Sequence, residues 1–147
     1  MSPVDQESTN EKFQKLNEVI EHLEEYRKVP RADFMIDHTV NSAAMYHLVL
    51  GIEIITDIGN HILNELFQTH PKDYAEIIAM LGEYGVIPEQ LAKENATMPK
   101  FRNLLIHEYV HIDLRLVYDN LQKAPHTFRE FASAFSDFLE KTDESGK

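Results

Sequence analysis

Apolar side chains recur every three or four positions along most of the chain, which is the spacing of one face of an α-helix. No segment alternates apolar and polar residues over a sustained run, so no β-strand is predicted. The longest predicted helix runs from about Asp33 to Leu66. One stripe follows it, formed by Val40, Ala44, His47, Gly51, Ile54, Ile58 and Ile62. We therefore expect an all-α, up-and-down helical bundle with this helix as its spine.

Capping residues, prolines and glycines predict where the other helices begin and end. Ser8 and Glu11 have the spacing of a capping box, which would open a first helix that ends at Pro30. Gly85 suits the C-terminal end of a third helix. Pro88 suits the first turn of the short helix that follows.

Two further helices are predicted in the C-terminal third. The fourth helix begins at Pro99 and runs to about Lys123. The last helix begins at a second capping box, formed by Thr127 and Glu130. Its apolar face consists of Phe128, Phe131, Phe135 and Phe138.

At 147 residues the chain is long enough for one domain with a single core. We expect the helical bundle to span residues 9–141, with disordered tails at residues 1–8 and 142–147. The chain has no cysteine, which excludes disulfides and thiolate metal ligands and fits a reducing compartment. Its most apolar stretch, residues 43–58, is interrupted by charged side chains and is too short to span a bilayer. A cytoplasmic protein with no membrane partner is therefore expected.

The formal net charge is −11, from 14 Lys and Arg against 25 Asp and Glu. Proteins that bind nucleic acids usually present a basic surface, so this balance argues against RNA or DNA as a partner. A nuclease of this composition requires a local positive groove on a surface that elsewhere repels phosphate.

The candidate chemistry is concentrated in the fourth predicted helix. His107-Glu108-Tyr109-Val110-His111 matches the zinc motif H-E-x-x-H literally. A zinc site also needs a third protein ligand, and none follows His111 at the motif's spacing. Glu130 is better explained as a capping residue. Glu108-x-x-His111 is one half of a di-iron site, but the sequence has no second Glu-x-x-His. No metal is expected.

The same segment suits metal-independent cleavage of RNA. His107 can accept the proton of a 2′-hydroxyl near neutral pH, and Arg102 can stabilise the charge that develops on the phosphorus oxygens. Asn103 lies one turn before His107 and would orient its ring or bind phosphate. His111 continues this stripe, as support for the site or in interface packing. On a straight helix Arg102 and Tyr109 share a stripe two turns apart, whereas Arg102 and His107 lie about 140° apart. Long side chains, a local distortion or a second copy of the helix across a dimer would bring Arg102 and His107 together.

The spacing Arg102-x4-His107-x-Tyr109 resembles the Arg-x4-6-His motif of HEPN-domain ribonucleases, and the tyrosine is typical of the HepT toxins among them. Residues 52–61, the Tyr74-Ala75-Glu76 opening and the Gly85-Val86-Ile87 turn are similar to HepT sequences in the same order. The resemblance covers roughly residues 13–140.

This resemblance implies a HEPN-like bundle that forms a symmetric homodimer. It implies the toxin of a bacterial toxin–antitoxin system, a metal-independent endoribonuclease without a cofactor of its own. Arg102 and His107 would be its catalytic residues. It further implies a partner, a minimal nucleotidyltransferase antitoxin. That partner would use ATP to transfer AMP onto the motif tyrosine, Tyr109.

Two plainer interpretations stay open. Taken without the resemblance, Arg102 is a surface ion-pair residue near Glu94, and His107 is a core histidine. Glu53 and Asp57 then belong to a solvated face of the long helix. A HEPN bundle without activity would serve only as a docking module. The presence of Arg102, Asn103, His107 and Tyr109 together favours an active ribonuclease over a docking module.

Overall fold

The computed structural model describes residues 4–145. This range folds into seven helices and contains no strand, so the predicted all-α class is confirmed. The helices are α1 (Gln6–Arg27), α2 (Arg31–Ile36), α3 (His38–Phe67), α4 (Tyr74–Glu83), α5 (Glu89–Glu94), α6 (Met98–His107) and α7 (Leu114–Ser145). The predicted dimer stays a prediction.

The long helix α3 is the centre of the bundle, as its apolar pattern predicts. It packs against α1, α2, α4, α6 and α7. Ile52, Ile54 and Ile55 are all buried, although they point in different directions around the helix. A helix that is apolar on several sides is stable only when neighbours cover each of those sides. The largest fully buried side chains of the three long helices include Leu16, Leu23, Leu48, Ile62, Phe131 and Phe135.

The predicted start of this helix is wrong, because the helical conformation is interrupted at Asp37 and α3 begins at His38. The Asp37 side chain accepts a hydrogen bond from the backbone N–H of Val40 at 3.2 Å, which caps a new helix. The buried Asn41 amide donates to the carbonyl oxygen of Phe34 at 3.0 Å and fixes the corner between α2 and α3. The periodicity of apolar residues continues through this break, so the pattern alone does not reveal it.

The boundary between the last two helices is also shifted. The sequence predicts a break between Lys123 and Thr127, but α7 is continuous there and contains Pro125. An internal proline costs roughly 3 kcal/mol. Burial of the apolar stripe that runs through it offsets this cost. That stripe consists of Val117, Leu121, Ala124, Phe128, Phe131 and Phe135.

The true break lies earlier, in residues 108–113. Glu108 leaves the helical conformation at φ −121° and ψ 20°. Asp113 then opens α7, because its carboxylate accepts the backbone N–H of Arg115 at 2.9 Å. The fourth predicted helix is therefore a short helix, a turn and the first part of α7.

The predicted tails also differ from the structure. Asp5, rather than Ser8, caps α1 and accepts the backbone N–H of Ser8 at 3.1 Å. Val4 is buried, and the Gln6 amide donates to the Asp143 carboxylate at 3.2 Å. The two ends of the described chain therefore pack against each other. The parts of the predicted tails at residues 1–3 and 146–147 lie outside the described residues.

No helix within residues 4–145 combines the length and the apolar character needed to cross a membrane.

The turn after α4 follows the sequence prediction. Gly85 has a φ of 73°, the left-handed conformation that ends many helices and that glycine adopts without strain.

The contact between Gly51 of α3 and Phe128 of α7 leads to a first prediction. A Cβ atom at Gly51 would overlap the Phe128 ring, which is itself buried. We expect Gly51→Ala to lower the free energy of unfolding by about 1–3 kcal/mol, although alanine is the better helix former. Denaturant unfolding measures this, with Ser42→Ala at an exposed position of α3 as the control. Unchanged or higher stability of Gly51→Ala would show that this contact does not limit the packing.

Candidate active site

Helix α6 presents the residues that the sequence singles out. It packs against α3 and α4 and is anchored by three buried side chains, Met98, Pro99 and Leu105. Pro99 lies in the first turn, where proline is compatible with a helix because that N–H has no partner in the helix. Because these buried side chains fix the orientation of α6, the polar residues on its other face have defined positions relative to α3 and α4.

Arg102 is held by contacts to both neighbouring helices. Its Nη2 lies 2.6 Å from a carboxylate oxygen of Glu53 on α3. Its guanidinium carbon lies 4.9 Å from the centre of the Tyr74 ring on α4, a cation–π contact. Its Nη1 donates to the side-chain oxygen of Asn103 at 3.1 Å. The side chain is only 17% exposed.

One donor of this guanidinium is unused. The Nε atom of Arg102 is buried and has no hydrogen-bond partner among the described residues. Arginine has five N–H donors in a rigid fork, so a carboxylate on one side leaves others for a phosphate. Arg102 is therefore a fixed cation with spare hydrogen-bonding capacity.

Glu53 is a functional candidate that sequence reasoning missed. The sequence assigns Glu53 and Asp57 to a solvated face, which is correct for Asp57 but wrong for Glu53. The partner predicted for Arg102 was Glu94, and the structure pairs it with Glu53 instead. The available signal was a carboxylate within the most apolar part of α3. A charge at such a position usually has a partner.

Other polar groups on α3 are used inside the bundle. The His47 Nδ1 lies 2.8 Å from the carbonyl oxygen of Ala43 and 3.4 Å from the Tyr26 hydroxyl of α1. Burial lowers the pKa of His47, which keeps the ring neutral at neutral pH. The His61 Nε2 accepts the backbone N–H of Asp5 at 3.3 Å. These hydrogen bonds join α3 to Tyr26 of α1 and to Asp5, so both histidines have structural partners.

His107, by contrast, is exposed. It occupies the last turn of α6, and its side chain makes no hydrogen bond or ion pair within the described chain. The interpretation of His107 as a core histidine is therefore wrong. Asn103 lies one turn earlier and is also exposed, but its side-chain oxygen accepts from Arg102 and not from His107.

The turn after α6 separates residues that the sequence places on one helix. Tyr109 and His111 lie in this turn, which is closed by a hydrogen bond from the N–H of His111 to the carbonyl oxygen of Glu108 at 2.9 Å. The prediction that Tyr109 shares a helical stripe with Arg102 is wrong, as is the stripe from Asn103 through His111. Both errors have one cause, the end of the helix at His107.

The H-E-x-x-H sequence consequently does not form its helical ligand pair. In a zinc site of that type the two histidines lie one turn apart on one helix. Here His107 ends α6 and His111 lies in the following turn. Residues 4–145 contain no group of three or more His, Asp or Glu side chains arranged to hold a metal ion.

Arg102 and His107 are not joined within one chain. Five residues of helix separate them by about 7.5 Å along the axis and about 140° around it. Arg102 is turned toward Glu53 and Tyr74, and no hydrogen bond within the described chain connects it to His107. One protomer presents the two groups on different sides of α6.

The fold is that of the HEPN class of helical proteins. A tri-AMPylated HEPN toxin of Shewanella oneidensis, solved in complex with an MNT antitoxin, superimposes with a TM-score of 0.80. The two chains are 20% identical, and the match covers 88% of this chain and 96% of that one. At this identity the likeness establishes the fold.

Sequence comparison identifies the family. The sequence profile described as "Ribonuclease HepT-like" matches residues 16–135, so the chain belongs to the HepT-like ribonuclease family. A protein of Archaeoglobus fulgidus that carries the name "Putative RNase" is 30% identical over 102 residues. The match covers 69% of this chain and 76% of that protein. The tRNA nuclease HepT of Aphanizomenon flos-aquae is 25% identical over 120 residues, or 82% of each chain. The predicted family and the predicted class of enzyme, a ribonuclease, are confirmed.

The ion pair between Arg102 and Glu53 generates a second prediction. Glu53→Gln keeps a hydrogen-bond acceptor but removes the charge that fixes the guanidinium. We expect RNA cleavage to fall about tenfold, mainly in kcat, because a less ordered arginine stabilises the transition state less well. Single-turnover cleavage measures this effect, and Glu65→Gln, the same substitution at an exposed position of α3, is the matched control. Faster cleavage by Glu53→Gln would mean that the ion pair restrains Arg102 instead of positioning it.

Proposed function

We propose that this protein is the toxin of a bacterial toxin–antitoxin system, a cytoplasmic endoribonuclease that cleaves RNA in a two-fold dimer without a metal ion. Membership of the HepT-like ribonuclease family supports the activity. The observation that carries the proposal is Arg102, a cation that Glu53 and Tyr74 hold in place on an otherwise acidic protein and whose terminal nitrogens keep further N–H donors. Such a group suits an oxyanion of phosphorus.

The proposed reaction divides the work between two side chains. His107 takes the proton of the 2′-hydroxyl, whose oxygen attacks the adjacent phosphorus. Arg102 stabilises the negative charge of the five-coordinate intermediate. The bond from phosphorus to the 5′-oxygen then breaks, and that oxygen takes up a proton. The products are a 2′,3′-cyclic phosphate and a free 5′-hydroxyl. Asn103 holds the guanidinium from its exposed side, and His111 supports the site from the turn.

A dimer supplies what one protomer lacks. Two copies of α6 around a two-fold axis place the arginine of one chain near the histidine of the other. The turn after His107 and the first turn of α7 support an interface, because each carries an apolar side chain that faces solvent. Val110 of the turn is 70% exposed, and Leu116 of α7 is 40% exposed. Apolar side chains clustered in this way are typical of contact surfaces.

Regulation by an antitoxin is the second part of the proposal. The related Shewanella toxin is AMPylated and bound to an MNT antitoxin. Tyr109 is the residue of this chain that matches the motif tyrosine, and its hydroxyl makes no hydrogen bond within the described chain. A nucleotidyltransferase partner would join the AMP of ATP to this hydroxyl, with release of pyrophosphate. The ribonuclease itself uses no cofactor. The added phosphodiester is negative and bulky, so it would repel RNA at the site entrance.

The third prediction concerns the catalytic pair. We expect Arg102→Ala and His107→Ala each to lower RNA cleavage by about a hundredfold or more, roughly 3 kcal/mol in the barrier. Both variants should stay helical. Cleavage of a labelled oligoribonucleotide measures the loss, with Arg27→Ala and His126→Ala as exposed controls of the same residue types. Wild-type rates in either site variant would show that the site is misassigned.

Mixing these two inactive variants tests the shared site. If each site takes Arg102 from one chain and His107 from the other, a mixed dimer has one intact site. An equal mixture that exchanges subunits should then recover about a quarter of the wild-type rate. No recovery, after mass spectrometry has confirmed that mixed dimers form, would place both residues of a site on one chain.

The fourth prediction concerns metal. Cleavage should survive EDTA, and the products should carry 2′,3′-cyclic phosphates, because the proposed proton transfer and charge stabilisation use side chains alone. Product analysis by mass spectrometry checks both expectations. Loss of cleavage on chelation that zinc restores would favour the zinc hydrolase suggested by the literal H-E-x-x-H sequence.

The fifth prediction concerns Tyr109. On co-expression with the antitoxin, wild-type protein should gain one or more AMP units, and Tyr109→Phe should gain none while it retains nuclease activity. Intact-mass measurement detects the modification, and Tyr46→Phe, 62% exposed on α3, is the control. AMP on the Tyr109→Phe variant would identify another acceptor. If wild type also remains unmodified, the antitoxin inhibits by covering the site.

A catalytically silent protein that only docks a partner is the alternative function. The exposed apolar turn would serve it equally well, but Arg102 would not need a spare donor. The cleavage experiment separates the two functions, since a docking module leaves RNA intact.

A further inference from the structure

A groove runs beside Arg102, between the first turns of α4 and α6. Its volume is about 470 Å³, within the range of about 300–1,000 Å³ that small-molecule sites occupy. The apolar part of its lining comes from Tyr74 and Ala75 of α4 and from Pro99 of α6. Its polar lining includes Lys100 and Asn103. An apolar wall with a few polar groups suits a nucleobase and its phosphate.

Lys100 is a cation without an acidic partner. Within residues 4–145 all the arginines pair with Asp or Glu, as do Lys15, Lys28 and Lys93, whereas Lys100 is one of five lysines that do not. Lys100 is exposed and forms no ion pair within the described chain. On a protein of net charge −11, an unpaired lysine beside Arg102 creates a small positive region. The first turn of α6 contains no acidic residue that would cancel it.

One carboxylate also lines this groove, that of Asp73. It caps α4 by accepting the backbone N–H of Glu76 at 2.8 Å, so part of its charge is directed at that helix end. On the opposite side, the Tyr74 ring already carries the Arg102 guanidinium on one face. The free wall for a base is therefore the exposed surface at Ala75, beside the buried Pro99.

We propose that this groove binds the RNA nucleotide next to the scissile bond. Lys100 contacts its phosphate, the base lies against Ala75, and the Asn103 amide hydrogen-bonds its edge. Arg102 bounds the groove, so a nucleotide held there places the neighbouring phosphate at the guanidinium. The inference rests on the proposed ribonuclease function and adds a positioning site to it. An antitoxin surface is the competing occupant, but the unpaired lysine and the single-nucleotide size favour RNA.

Binding to the full-length His107→Ala protein tests the groove without cleavage of the probe. The probe is a fluorescein-labelled oligoribonucleotide that the wild-type enzyme cleaves, or a mixed-sequence one if it cleaves none. Added to this background, Lys100→Gln should weaken binding about fivefold at 0.1 M salt and reduce the slope of log K against log salt by about 0.7. Lys93→Gln, an exposed lysine away from the groove, should change neither.

Two alanines of α4 provide a matched pair. Ala75 and Ala79 are both exposed and lie one turn apart, but only Ala75 lines the groove. Ala75→Glu should therefore weaken RNA binding at least as much as Lys100→Gln, and Ala79→Glu should leave it unchanged. In the active enzyme, Lys100→Gln should raise KM and leave kcat nearly constant, whereas Arg102→Ala lowers kcat.

The outcomes separate this inference from the proposed function. If wild type cleaves RNA while Lys100→Gln and Ala75→Glu bind like the background, the groove is not an RNA site and the ribonuclease proposal stands. Groove-dependent binding without any cleavage by wild type supports the groove and contradicts the enzyme. Normal RNA binding by both variants, together with loss of antitoxin co-purification, would make the groove a protein-docking surface and overturn the inference.

Discussion

The ion pair between Arg102 and Glu53 is the interaction on which the site depends. A cation on an acidic protein tends to be neutralised fully by nearby carboxylates or to move freely in solvent. Here one carboxylate of the central helix holds one edge of the guanidinium, and the Tyr74 ring supports its face. The remaining donors keep their capacity for an anion. The ion pair also sets α6 against α3, which fixes where His107 and the following turn emerge.

This arrangement resolves the conflict between the net charge and an RNA substrate. Net charge governs long-range attraction, whereas a bound phosphate responds to the groups within a few ångströms of it. Lys100, Arg102 and His107 lie on a helix without an acidic residue in its first turn. The surplus of acidic residues lies elsewhere. We expect slow, weakly steered association with RNA as a result, which suits an enzyme that must be selective about what it cleaves.

The sequence predicted the helical class and the central helix, because these depend on the periodicity of apolar residues. The site residues, chosen from local spacing, stay a prediction. The sequence did not predict the helix ends at Asp37 and Glu108, since the capping contacts there compete with a periodic pattern that continues. Near Pro125 the sequence predicted a helix end where α7 is continuous, because burial of the apolar stripe of α7 outweighs the cost of an internal proline. The pairing of Glu53 with Arg102 joins residues 49 positions apart in the sequence, and no local pattern encodes such a contact.

The packing of α1 against α7 has a consequence for synthesis. Phe131 and Phe135, near the end of the chain, complete the core that α1 and α3 share. Domains fold as units while the ribosome extends the chain by about 5–20 residues per second. The helix that carries Arg102 and His107 is synthesised before α7, but the scaffold that positions it closes only when α7 has emerged. A growing chain therefore holds these two side chains in no fixed arrangement until α7 has packed against α1 and α3.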